Sequence, residues 1–158
     1  MEYNKNRTLY KKKYMNILIV DDDVESANFI KELLELNGHF VTFVDEPTRC
    51  ITLCQNNKYD LVFMDYHMNG LNGSQITEIL KENHIGNTNI FAFTGDNSDD
   101  AITSFKSAGM DGIVIKPIDI EIFELLINYF ENNNTLNNNQ STKMIITKRS
   151  NQNILFFN

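Results

Sequence analysis

Five short apolar runs, Ile17–Val20, Phe40–Val44, Leu61–Met64, Ile90–Phe93 and Ile113–Ile115, alternate along the chain with longer amphipathic stretches. Each run is bounded by polar or glycine residues, which is the mark of a strand buried on both faces. The stretches between them read as helices over Val24–Leu36, Thr48–Asn56, Ser74–Glu82, Asp99–Ser107 and Asp119–Phe130. Their ends carry start and stop signals: Pro47 before the second, an Asn/Ser/Asp cluster before the fourth, and Asn37-Gly38 and Gly109 as stops. A strand–helix pair repeated five times implies a parallel sheet with helices on both sides.

Composition sets outer limits. The chain has 158 residues, 42% hydrophobic and 22% charged, enough for one domain with a real core and tails. No apolar run approaches the roughly 18 residues of a membrane span, and no apolar stretch follows the N-terminal lysines. Cys50 and Cys54 lie four apart on an expected helix. That spacing gives neither a disulfide framework nor a zinc site, so both read as reduced, packed residues of a cytoplasmic protein. Charge is uneven. Residues 15–131 hold 6 Lys/Arg and 20 Asp/Glu, which gives −14. Residues 1–14 carry 5 basic and 1 acidic residue, giving +4, and residues 132–158 carry 3 basic and no acidic residues, giving +3. An acidic body argues against nucleic acid as the main ligand, and the short basic ends read as solvated.

The chemistry lies at the strand ends. In a parallel α/β sheet, ligands bind beyond the carboxyl ends of the strands. The first strand ends in Asp21-Asp22-Asp23, the third in Asp65, the fourth in Thr94-Gly95 and the fifth in Lys116-Pro117. Carboxylates, a hydroxyl and an ammonium therefore converge on one edge. Three adjacent aspartates repel one another and resist desolvation, so the cluster suits a hard divalent cation bound through oxygen, Mg²⁺ above all. Asp23 reads only as a helix-start residue, and the His67 side chain as solvated.

The segments "ILIVDDD", "YDLVFMDYHMNGLNG", "FAFTG" and "GIVIKPI", in this order and spacing, resemble a response-regulator receiver domain over about residues 15–130. The resemblance implies a flavodoxin-like (βα)5 sandwich whose five-stranded parallel sheet has the order 2-1-3-4-5. It makes Asp65 the phosphoacceptor, with Thr94 and Lys116 binding phosphoryl oxygens. Asp21, Asp22, Asp65 and the backbone carbonyl of His67 become the Mg²⁺ ligands. The Lys116–Pro117 bond is expected to be cis. The implied partners are a histidine kinase or histidine phosphotransfer protein upstream and a protein target downstream, with neither nucleic acid nor membrane. The implied role is that of a single-domain phosphoacceptor in a phosphorelay, which catalyses only its own phosphorylation and dephosphorylation.

Two positions depart from the family pattern. Asn69 stands where Pro is usual, four residues after the acceptor, and Ile113 stands where an aromatic switch residue is usual. The expected organisation is a basic extension over 1–14, the receiver over 15–131, and an Asn-rich linker with a short tail over 132–158. The tail is too short for an output domain of its own. Its apolar patches, Met144–Thr147 and Ile154–Phe157, either add a strand, dock on a partner or do nothing. On the first helix, Phe29, Leu33 and Leu36 widen the stripe of Ala27, Ile30 and Leu34 beyond what a core contact needs, which marks either a docking face or two-sided burial.

Overall fold

A computed structural model describes residues 12–83, 85–132 and 140–157. Most of the basic extension and of the Asn-rich linker lies outside these residues. Strands β1 (Asn16–Val20), β2 (Phe40–Val44), β3 (Leu61–Met64), β4 (Asn89–Thr94), β5 (Gly112–Ile115) and β6 (Ile154–Phe156) form one sheet of order β2-β1-β3-β4-β5-β6. The first five strands are parallel and β6 is antiparallel. Helices α1 (Val24–Leu36), α2 (Pro47–Asn56), α3 (Gly73–Glu82), α4 (Asp99–Ala108) and α5 (Ile120–Asn132) follow the strands in turn, and α6 (Gln140–Arg149) precedes β6. This is the expected flavodoxin-like order with a sixth strand added.

Strand alternation divides the core in two. Ile17, Ile19, Phe63, Phe91 and Phe93 face α1 and α5, packing on Ala27, Ile30, Leu34, Phe123 and Leu126. Leu18, Val20, Val62, Met64, Ala92 and Ile113 face the other way, against Cys50, Ile76, Leu80 and Phe105. Both faces of the sheet are covered, so the central strand β3 is apolar and buried along its whole length. Cys50 and Cys54 are both free thiols. Among the described residues no helix is long and apolar enough to cross a membrane.

The helix starts follow ordinary capping chemistry. Asp23 caps α1 by accepting the Ser26 amide, Ser98 caps α4 by accepting the Ala101 amide, and Asn72 and Gln75 form a reciprocal capping box on α3.

Of the two apolar patches in the tail, Met144–Thr147 lies within α6, whereas Ile154–Phe156 is β6. Ile113 pairs with Leu155 across β5 and β6, and the Phe156 ring meets Phe91 and Tyr129. Gly112 makes this pairing possible. A Cβ there would lie 2.4 Å from the Leu155 carbonyl oxygen and 2.3 Å from the Phe91 ring.

A buried histidine ties the N-terminal end of the sheet to α5. The His39 Nδ1 accepts the Met15 amide at 3.1 Å, so its Nε2–H donates to Glu131 at 2.8 Å. Burial holds the ring below its ordinary value of 6.5; Glu131 and Asp60 pull it upward, and Lys12 lowers it further. With the folded-state value depressed, the unfolded chain takes up the proton first. The contribution to stability is therefore complete above 6.5 and is lost as pH falls toward the lower folded-state value. Urea unfolding from about pH 7.5 to about pH 5.5 should show wild type losing stability relative to His39→Asn, by at most about 1.4 kcal/mol per pH unit. Parallel pH dependences for the two proteins would show that this ring does not titrate on unfolding.

Candidate functional site

The parallel sheet brings the strand ends to one edge. The Asp21 amide donates to the Val44 carbonyl, the Asp65 amide to Val20, and the Lys116 amide to Thr94, so each side chain leaves its strand at a fixed height. Asp21 is fully buried, Asp65 is buried and Asp22 is exposed. One carboxylate oxygen from each of the three lies within 4.8 Å of the others. Lys116 Nζ donates to Asp21 Oδ2 at 2.6 Å and sits 4.6 Å from the centre of the Phe93 ring. The Lys116–Pro117 bond is cis.

The remaining oxygens are oriented by the backbone. Asp21 Oδ1 accepts the Asp23 amide at 2.9 Å, and Asp65 Oδ1 accepts the Tyr66 amide at 2.9 Å. Burial, and then the charge of Asp21, raise Asp65 to about 7; Lys116 and the Tyr66 amide oppose this, and Asp22 adds a smaller upward push. Asp65 is thus a carboxylate held at a cost that a cation can offset. Thr94 is buried, and its Oγ1 accepts the Asp96 amide at 3.2 Å, which leaves the hydroxyl proton available to an incoming acceptor. Gly73 lies against the loop after Asp65. A Cβ there would meet the Asp65 carbonyl oxygen at 2.2 Å, so the start of α3 can approach the Asp65 backbone only without a side chain.

The donor set fits Mg²⁺. All three groups are hard oxygens, and oxygens about 2.1 Å from an octahedral ion lie roughly 3 to 4 Å apart, compatible with this cluster. His67 lies in the same loop, two residues beyond Asp65. Its side chain is 67% exposed, as expected, and also makes two contacts: Nε2 lies 2.9 Å from Asp96 Oδ2, and the ring packs edge-on against Tyr66. This pair joins the loop after β3 to the loop after β4. Hydrogen bonds from Ser98, and then the contact with His67, hold Asp96 down at about 2. Sequence reasoning passed over Asp96, because it stands in a polar cap cluster and its partner is 29 residues away.

The α1 face is now resolved. Ala27, Ile30 and Leu34 are buried and Leu33 is partly buried, whereas Val24, Phe29 and Leu36 are exposed. Phe29 and Ile30 border an open cleft of about 500 Å³ whose other wall is Phe93, Lys116, Pro117 and Ile118.

Comparison with known proteins agrees with this geometry. The family model of the response regulator receiver domain matches residues 17–128. The chain is 29% identical over 107 residues to the sensor histidine kinase AruS of Pseudomonas aeruginosa, covering 66% of this chain and 11% of that protein. It is 30% identical over 108 residues to the CAI-1 autoinducer sensor kinase/phosphatase CqsS of Vibrio cholerae, covering 67% of this chain and 16% of that one. The match thus spans well under a fifth of either relative. Among solved structures, a two-component response regulator from Clostridium difficile superposes with a TM-score of 0.68 at 25% identity, covering 73% of this chain and 93% of that chain. The receiver domain of Francisella response regulator 1452 superposes with a TM-score of 0.66 at 29% identity, covering 74% and 96%. With this fold and an acidic cluster at the ends of its strands, the chain belongs to the response regulator receiver family of two-component signalling.

Proposed function

We propose that Asp65 accepts a phosphoryl group from a phosphohistidine of a histidine kinase or histidine phosphotransfer protein. The P–N bond of the donor breaks as a P–O bond forms to a carboxylate oxygen of Asp65, and the imidazole leaves with its nitrogen lone pair. Attack of water on phosphorus later returns the carboxylate and inorganic phosphate. The observation that carries this reading is the meeting of Asp21, Asp22 and Asp65 in one cluster, with the Lys116 ammonium already paired to it.

Each residue has a distinct task. The Tyr66 amide fixes the Asp65 carboxylate for in-line attack. Lys116 and the Thr94 hydroxyl bind oxygens of the transferred group as negative charge gathers there. Asp21, Asp22, Asp65 and the His67 carbonyl would hold Mg²⁺, which supplies charge neutralisation between phosphoryl and carboxylate oxygens. The exposed Phe29, which lines the same cleft as Lys116, suits the docking of the phosphodonor. Output passes through protein contact in the cytoplasm, in keeping with an acidic body ill-suited to nucleic acid. Ile113 has no ring to swing, so activation travels through Thr94 and the loop that carries Asp96.

The test is incubation with phosphoramidate and Mg²⁺, followed by intact mass and peptide mapping after borohydride reduction. The expected result is one phosphoryl group, dependent on Mg²⁺ and located on Asp65. No adduct, or one on a different residue, would refute the proposal.

A further inference from the structure

Helix α6 carries apolar residues on more than one side. Ile146 is buried against the core shared with α5, whereas Met144 is 71% exposed and Ile145 is 54% exposed. A helix that needed only to pack on its own domain would keep one apolar stripe. The second side of α6 forms one wall of an open groove of about 870 Å³, with Leu155 and Phe156 of β6 along the other wall. Lys143 and Lys148 border the same groove, and the Lys143 ammonium sits 5.4 Å from the centre of the Phe156 ring. Residues 132–158 contain Lys143, Lys148 and Arg149 and no carboxylate, on a chain whose body carries −14.

We propose that the α6–β6 groove is a docking site for an acidic amphipathic helix of a partner protein. Apolar side chains of that helix would fill the space between Met144, Ile145, Leu155 and Phe156, and its carboxylates would meet Lys143 and Lys148. Charge complementarity selects this occupant. The N-terminal segment of the chain itself is basic and is repelled from a basic rim. A second copy would have to offer an acidic apolar face such as α1. A groove-to-groove pair would set the two basic rims against each other. The groove is walled on two sides, which fits a helix better than a flat bilayer surface. The site does not depend on phosphorylation of Asp65. β6 nonetheless joins the groove to the strand that delivers Lys116, since Leu155 and Phe156 pair with Ile113 and Gly112 at the start of β5 and the Ile115 amide donates to the Asn153 carbonyl near its end.

The test uses the full chain, unphosphorylated, and a labelled synthetic helical peptide with leucines at i, i+3, i+4 and i+7 and glutamates elsewhere. A lysine analogue of the peptide is the control. Anisotropy should show saturable binding of the glutamate peptide, weakened by added salt, and little binding of the lysine peptide. Amide shifts should map to α6 and β6. Met144→Glu with Ile145→Glu should weaken binding by at least about tenfold while the melting temperature stays unchanged, because both side chains are exposed. Equal binding of both peptides, shifts centred on α1, or indifference to the double substitution would overturn the proposal. So would a failure of the glutamate peptide to bind. Self-association abolished by the same substitutions would assign the groove to a second copy. Binding to phosphatidylserine vesicles without peptide binding would assign it to a membrane. Either result also overturns it.

Discussion

Asp65→Asn will abolish phosphoryl acceptance and, in metal-free buffer, make the protein more stable. The first effect follows from replacing a nucleophilic carboxylate with an amide, and the mass gain seen with phosphoramidate should vanish. The second follows from the cost of the charge. The folded-state value of Asp65 is about 7, against an ordinary 3.8, because burial and then Asp21 disfavour its ionised form. With the folded-state value raised, its favourable contribution is complete below 3.8 and is lost as pH rises through about 7. The rise from 3.8 to about 7 corresponds to roughly 4 kcal/mol at most, and water at the mouth of the site reduces this, so a gain of ~1–3 kcal/mol is expected near pH ~8. The gain should shrink as pH falls from about 7 toward 3.8. It should also shrink when Mg²⁺ stabilises the wild type by mass action. Urea unfolding with chelator and with Mg²⁺ measures both. If the Asn variant is less stable than wild type at every pH, the repulsion described for the cluster does not exist.

Lys116→Met should act in the opposite direction. Lys116 is the cation closest to Asp21, whose carboxylate is fully buried and accepts from Nζ at 2.6 Å. Removing one partner of a buried pair costs about 3–5 kcal/mol, because it strands the other charge. The Lys116 side chain is 22% exposed, so water and rearrangement offset part of the loss, and ~2–3 kcal/mol is expected without metal. The same substitution removes a positive charge that competes with a bound cation. Mg²⁺ should therefore raise the melting temperature of the variant more than that of wild type. A variant as stable as wild type in chelator, with the same Mg²⁺ response, would mean that Lys116 and Asp21 do not interact in solution.

These two substitutions probe a site whose parts were legible one strand at a time. "ILIVDDD", "LVFMD", "FAFT" and "GIVIK" each present an apolar run followed by the group it delivers. A parallel sheet can only set such endings side by side, so their meeting follows from local patterning alone. The helix starts at Asp23, Asn72 and Ser98 are equally local, since each cap bonds an amide three residues away. Contacts between distant segments were not legible. The His67–Asp96 bridge spans 29 residues and the His39–Glu131 bridge spans 92, and neither pair carries a spacing that announces it.

The tail shows the same division most clearly. Its patches at Met144–Thr147 and Ile154–Phe157 are equally apolar on paper, yet one lies in a helix and the other includes a strand. A three-residue strand has no identity of its own; the free edge of β5, opened to close approach by Gly112, supplies it. By itself, the sequence of this protein determined the order of strands and helices, the strand ends that carry carboxylate, hydroxyl and ammonium, and the acidic body with basic ends. Those features depend on period, capping and charge, which act over a few residues. Only the tertiary structure decided that Phe29 stays outside, that the tail completes the sheet, and that α6 leaves one apolar side open. Each of those depends on which surfaces the rest of the chain has already covered.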